Sequence, residues 1–254
     1  RTLNSVMERV SLLKWPVIRG FIALIESLVI GVRSLAFSAN LVVESEGEGE
    51  TISSWELTLS VAFALVMGIG LFFLLPAALA HLLEGRIEQP AWQNILEGLF
   101  RIGIFLAYVW GISFMKDIRR VFQYHGAEHK VIHAYESGQE LTIENTRKFS
   151  TLHPRCGTSF LLVVMVISIF VFSLLGRQTL WMRLLSRVVL LPLVAGISYE
   201  FIKLAGKYPQ NVILRVLSAP GMWLQKLTTG EPDDSQLEVA IRALNGVLEA
   251  EGGR

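Results

Sequence analysis

The chain has one cysteine in 254 residues, which excludes an intrachain disulfide framework. Its charges nearly cancel, 23 lysines and arginines against 22 aspartates and glutamates, so no general affinity for polyanions follows. Nucleic-acid-binding modules, Gly-rich phosphate loops, a G-x-S-x-G nucleophile turn and internal repeats are not found, and no cleavable signal peptide is recognisable. Charge itself is scarce. Only 18% of residues are charged against 52% hydrophobic, and the mean hydropathy of +0.49 excludes an ordinary soluble domain and indicates a membrane protein.

Four spanning segments are expected at about residues 55–80, 95–116, 159–176 and 188–205, each near the roughly 20 residues a bilayer core requires. The third carries no charge. The second holds Glu97 and Arg101 at i, i+4, and the fourth holds Glu200 three residues before Lys203, so each intramembrane carboxylate has a local partner in reach. Residues 15–37 are apolar too, but Arg19, Glu26 and Arg33 recur every seven residues along one stripe. That pattern suits a helix lying in the membrane interface or buried against other helices. Glu44 to Glu50 reads as a solvated acidic linker, and His81 as an ordinary interfacial histidine.

The expected architecture is therefore all-α: a polytopic membrane protein of about four transmembrane helices with an N-terminal amphipathic helix. Its segments are residues 1–50, a first transmembrane hairpin at 51–116, a motif segment at 117–158, a second hairpin at 159–206, and an interfacial and tail segment at 207–254. Lysine and arginine placement orients it, because residues 116–158 hold seven of them against one between the first two spans. The motif segment, the N-terminus and the tail are expected on the cytoplasmic side of the membrane. Lys207 to Thr229, broken by Pro209 and Pro220 and carrying Trp223, reads as interfacial. The tail reads as a soluble amphipathic helix, with a capping box from Ser235 and Glu238 and an apolar stripe of Leu237, Ala240, Ile241, Leu244 and Leu248. It is expected to dock on the motif segment or on a partner protein. The bilayer is the other expected partner.

The chemistry concentrates between Asp117 and Ser159, where four of the five histidines and the cysteine fall. A helix from an N-cap at Asp117 to a stop at Gly138 places Ile118, Phe122, His125, His129, Ile132 and Glu136 on one stripe, at about 100° per residue. Arg119, Arg120, Gln123, Lys130 and Ser137 fall on the other side. Two histidines and a carboxylate on an apolar face call for compensation, and a divalent metal supplies it. His125, Glu128 and His129 read H-x-x-E-H, the inverted zincin pattern, with the histidines as ligands and Glu128 as general base. So short a pattern also recurs by chance: the histidines can instead bond backbone carbonyls, and Glu136 can pair with Arg155. Further on, Thr142 is expected to cap a short helix over residues 143–150. In Leu152-His-Pro-Arg-Cys-Gly-Thr-Ser159, Pro154 extends His153, Gly157 permits a sharp turn, and Thr158 or Ser159 can cap the next helix. His153 and Cys156 are thereby placed at a helix N-terminus, which favours thiolate, at a spacing from which both reach one ion. For Cys156 alone, a small buried thiol in a structural turn is the simpler reading.

Tyr124-His-Gly-Ala-Glu-His-Lys130, Glu144-Asn-Thr-Arg-Lys-Phe149, His153-Pro-Arg-Cys-Gly-Thr-Ser-Phe160 and Gly196-Ile-Ser-Tyr-Glu-Phe201 resemble the YqhQ-type family of bacterial integral membrane proteins, whose function is unknown and whose label is predicted metal-dependent enzyme. The resemblance covers most of the chain. Members of that family begin with a glycine-rich segment ahead of the helix at residues 15–37, and such a segment is expected before Arg1.

Two functions compete. The first is a metal-dependent hydrolase at the cytoplasmic membrane face, with zinc held by His125 and His129 and a third ligand from Glu136, His153, Cys156 or Glu200. Glu128 takes a proton from the activated water. The second is a non-enzymatic membrane scaffold or assembly factor in which the histidines are structural. A transporter fits less well, because the ionisable groups gather at one face without paired broken helices at the midplane.

Overall fold

The computed structural model describes residues 11–45, 53–87, 89–154, 156–176, 178–208 and 210–252, so most of the acidic linker, Glu88, Arg155 and Pro209 lie outside the described residues. All regular structure among them is helical. Helix α1 (Ile18–Ser45) precedes α2 (Ser54–Ile69), which runs through a π-helical turn at Gly70–Leu74 into α3 (Leu75–Leu82). Then come α4 (Pro90–Ile112), α5 (Lys116–Glu136), the short α6 (Ile143–Arg147), α7 (Gly157–Ser173), α8 (Leu180–Lys207), α9 (Val212–Thr228) and α10 (Asp234–Gly252).

Four stretches are long and apolar enough to cross a membrane: Ile18–Leu41, Thr58–Leu82, Pro90–Ile112 and Trp181–Lys207. The protein is all-α with four candidate membrane-spanning helices, but they are not quite the expected four. Helix α1 meets the length and hydropathy of a span, because its polar stripe is diluted over 28 residues. Conversely α7, the uncharged segment, has 17 helical residues, or about 26 Å of rise against a core of about 30 Å.

The chain divides into two compact units, residues 1–104 with 164–201 and residues 105–163 with 202–254. In the first, Glu97 is buried at 2% exposure and accepts from Arg101 across one helical turn at 2.8 Å, as the spacing predicts. Its environment is richer than a local pair. Arg187 on α8 reaches the same carboxylate at 3.2 Å and donates to Asn94 at 2.8 Å, while Arg183 lies 3.9 Å away. Gly98, one residue along α4, lies against Ile169 so closely that a Cβ would fall 2.2 Å from its Cγ1, the kind of approach small residues allow between membrane helices. The expected partner of Glu200, Lys203, is replaced by one far away in sequence: Arg19 on α1 forms a two-pronged pair with the carboxylate at 2.5 and 2.6 Å. A bidentate guanidinium geometry outcompetes a lysine one turn along the same helix.

The second unit is built around α5. Asp117 sits in its first turn, where it complements the helix dipole; the cap position belongs to Met115, whose side chain makes no capping bond. Gly138 follows the C-cap Ser137 with φ of 69°, the left-handed stop expected there. Thr142 caps α6, accepting from the Asn145 N–H at 3.2 Å, though the helix ends at Arg147. The predicted polar side of α5 is only partly exposed. Lys130 is buried, donating to the Arg147 carbonyl at 3.0 Å and pairing with Glu231 at 2.6 Å, because α6 and the segment before α10 cover it. Gly126 is required here: a Cβ would meet the Gly230 carbonyl oxygen at 2.0 Å. Helix α10 packs on α5 with Gln236 and Leu237 buried, so the tail's apolar stripe is used within the chain. Its capping box is formed two residues earlier than predicted, by Asp233 and Gln236, each accepting from the other's backbone N–H at 2.9 Å. Ser235 instead donates to Asp233.

Candidate metal centre

The i, i+4 spacing on α5 sets the His125 and His129 rings edge to face, 4.4 Å between centroids. Each ring is tethered from behind. His125 Nδ1 lies 2.8 Å from the Thr228 carbonyl at the end of α9, and His129 Nδ1 lies 2.5 Å from the Thr151 carbonyl. A carbonyl only accepts, so both Nδ1 atoms carry the hydrogen and donate it, which leaves each Nε2 for a different bond. That tautomer is the one metal-binding histidines adopt when a backbone oxygen orients them.

Cys156 supplies the third donor. Its position just before α7 lets Sγ accept from the Thr158 N–H at 3.4 Å, so the thiol itself does the capping work expected of Thr158 or Ser159. His125 Nε2 is 3.1 Å from Sγ, and one donor atom from each of His125, His129 and Cys156 lies within 4.8 Å of the others. Burial pushes the thiol up, but hydrogen bonds from His125, His129 and Thr158 outweigh it and bring Cys156 from 9.0 to about 5. Burial likewise pushes His125 down, and its bonds to Cys156 and Thr228 reverse the sign, so its pKa is raised. Both shifts favour the charged forms, thiolate on Cys156 and a protonated ring on His125.

A cleft of about 480 Å³ opens over these atoms, lined by His125, Glu128, His129, Ile132, Glu136, His153, Cys156, Gly157 and Thr158. His153 lies beside it, its Nε2 3.4 Å from Glu136 and its ring 5.7 Å from that of His129. Its pKa is lowered by burial first and by the neighbouring His133 second, against the pull of Glu136, so its contact with Glu136 is that of a neutral imidazole. The Glu136 side chain is 37% exposed and Glu128 is exposed too. The expectation of a buried carboxylate that requires a metal is thereby corrected: the stripe faces an open cleft, and the demand for a cation comes from the thiolate and the two oriented imidazoles. Glu200 does not line the cleft; its carboxylate is held by Arg19.

Three contributors have no motif to announce them. Gln225, fully buried on α9, accepts from the His153 N–H at 2.8 Å and donates both to the His153 carbonyl at 2.8 Å and to Ser159 Oγ at 2.7 Å. Thr228 acts through its carbonyl, which carries no side-chain signal. His133 donates from Nε2 to the Leu152 carbonyl at 2.9 Å and stacks on Phe149, fixing the same loop from α5.

The donor set fits zinc. Two imidazoles and a thiolate are among its preferred ligands, and His125, His129 and Cys156 would hold it with one position left for water or substrate. Fold and site together define an all-α protein of membrane type that carries a histidine–cysteine cluster outside its apolar helices. The chain belongs to the family described as Protein of unknown function (DUF1385), whose profile matches residues 15–250. It is similar to Uncharacterized protein YqhQ of Bacillus subtilis (strain 168), 39% identical over 249 residues that cover 94% of this chain and 78% of the relative. No solved structure matches.

Proposed function

We propose that this chain is a zinc-dependent hydrolase of the bacterial plasma membrane, multi-pass, with its site at the cytoplasmic face. The observation that carries the metal is the pair of Nδ1–H bonds to Thr228 and Thr151, which frees two Nε2 atoms beside a thiol already brought to about 5. Zinc, when bound, supplies the Lewis acidity that brings the acidity of water near neutrality. Glu128, exposed on the cleft wall, would serve as the general base, accepting a proton from a water in the cleft and returning it to the leaving group. His153 and Glu136 stand across the same cleft, where a neutral imidazole can donate to a substrate oxygen.

Orientation rests on the seven lysines and arginines of residues 116–158. We infer that the uncharged α7, although only 17 residues long, crosses together with α8, which puts the motif segment and the tail on one side whether or not α1 crosses. Only the N-terminus changes side with α1.

A scaffold role for the family is favoured by one observation: every site histidine already has a hydrogen-bond partner. Elemental analysis of detergent-purified protein separates the readings. The hydrolase reading requires about one zinc per chain in the wild type and its loss in His129→Ala and Cys156→Ala. Folded wild type that takes up no metal on reconstitution would leave the scaffold.

A further inference from the structure

Helix α9 has two apolar aspects, and only one of them is used inside the chain. Gly221, Leu224, Gln225 and Thr228 are buried and serve the site. Opposite them Val212, Val216 and Trp223 fall within about 40° of one another on the helical wheel, and they are 67%, 64% and 66% exposed. Ile213 and Leu217, in the first turns of α9, are exposed as well, at 70% and 56%, but lie on the wheel toward the buried residues and are not part of that sector. Arg215 and Lys226, both exposed, flank one edge of the sector.

We propose that α9 docks by this outer face on an anionic phospholipid surface and thereby holds the histidine–cysteine cluster at headgroup level. Three features select lipid. An apolar sector with an aromatic anchor and a basic edge is the pattern of a helix lying in the interface plane, where lysine and arginine meet anionic headgroups. Four residues separate Lys207, the end of a candidate span, from Val212. That length reaches at most about 17 Å, so α9 begins within reach of the membrane surface where α8 leaves it. A second copy packed antiparallel is the poorer occupant, because that two-fold contact would bring the Arg215 and Lys226 edges of both copies together. The consequence for the site is direct: the helix whose outer face meets lipid carries on its inner face Gln225, which clamps His153, and Thr228, which orients His125.

The inference rests on α8 crossing the bilayer, and not on the metal. The full chain, reconstituted in nanodiscs of phosphatidylethanolamine and phosphatidylglycerol, is prepared with photoreactive benzoylphenylalanine at position 216, 223 or 238. Phospholipid adducts are expected at 216 and 223 and not at 238 on α10, with phosphatidylglycerol above its mole fraction. Combined Arg215→Glu and Lys226→Glu should remove that enrichment, and a chelator should change nothing. Chain-to-chain products in place of lipid adducts, or equal lipid yields at 216 and 238, would overturn the proposal. Impermeant labelling of a cysteine placed at the exposed Gly176 reports separately whether α8 crosses.

Discussion

Replacing Gln225 with leucine removes a clamp while nearly keeping its volume. The three bonds lost are the two to the His153 backbone and one to Ser159. The His153 carbonyl keeps an acceptor role toward the Cys156 N–H at 3.3 Å, so the main orphan is the buried His153 N–H. Leaving that donor unsatisfied costs about 1–3 kcal/mol, and the two further bonds about 1 kcal/mol each, or about 3 to 5 kcal/mol together. The chain can escape the penalty only by opening residues 151–156, which also carry Cys156 and the carbonyls that hold His129 and His133. At about 1.4 kcal/mol per factor of ten, the open population rises at least 100-fold. Hydrogen exchange read by mass spectrometry on the detergent-solubilised protein should show that loss of protection in the peptide containing His153, with α10 unchanged. Unaltered protection there in a folded variant would refute the clamp, and a uniform rise over the whole unit would show that Gln225 supports the fold and not the loop.

Three further outcomes follow from the same geometry. The ultraviolet thiolate signal of metal-free protein, taken as wild type minus Cys156→Ser, should titrate near pH 5; since the folded pKa is the depressed one, the stability it lends is full above about pH 9 and is lost progressively as pH falls to about 5, and a midpoint near the ordinary 8.5 would contradict the pairing with His125. Glu97→Gln leaves Arg101 and Arg187 buried without their carboxylate and should destabilise by about 3–5 kcal/mol in thermal unfolding, with partial rescue by adding Arg187→Met; a stable single variant would count against the buried network. In a complementation assay at matched protein levels, Glu128→Gln should abolish function, and a fully functional Glu128→Gln protein would favour the scaffold.

What could be read from the sequence is what lies within one helical turn or one short loop. The His125–His129 pair, the Gly138 stop, the Thr142 cap and the Glu97–Arg101 pair all follow from local spacing. The tail cap shows the limit of that kind of reading, because Asp233 with Gln236 and Ser235 with Glu238 both satisfy the same pattern two residues apart, and packing of Gln236 on α5 chooses the first. Glu200 bonds a residue 181 positions away, which no local rule selects over Lys203. Thr228 and Gln225 lie 103 and 72 positions from the histidines they serve. One acts through a backbone oxygen and the other is a single glutamine in an amphipathic helix, so neither leaves a pattern of its own. The stripe on α5 was legible as a face, but whether that face met protein or water depended on how α10 and the segment around Gly230 cover the opposite side.

The central claim is that His125, His129 and Cys156 bind one zinc ion, and X-ray absorption at the zinc edge of the reconstituted protein tests it most directly. The account predicts one sulfur at about 2.3 Å and nitrogen or oxygen neighbours at about 2.0–2.1 Å, with the sulfur shell lost in Cys156→Ser. A spectrum with no sulfur neighbour in the wild type, or one that Cys156→Ser leaves unchanged, would contradict it.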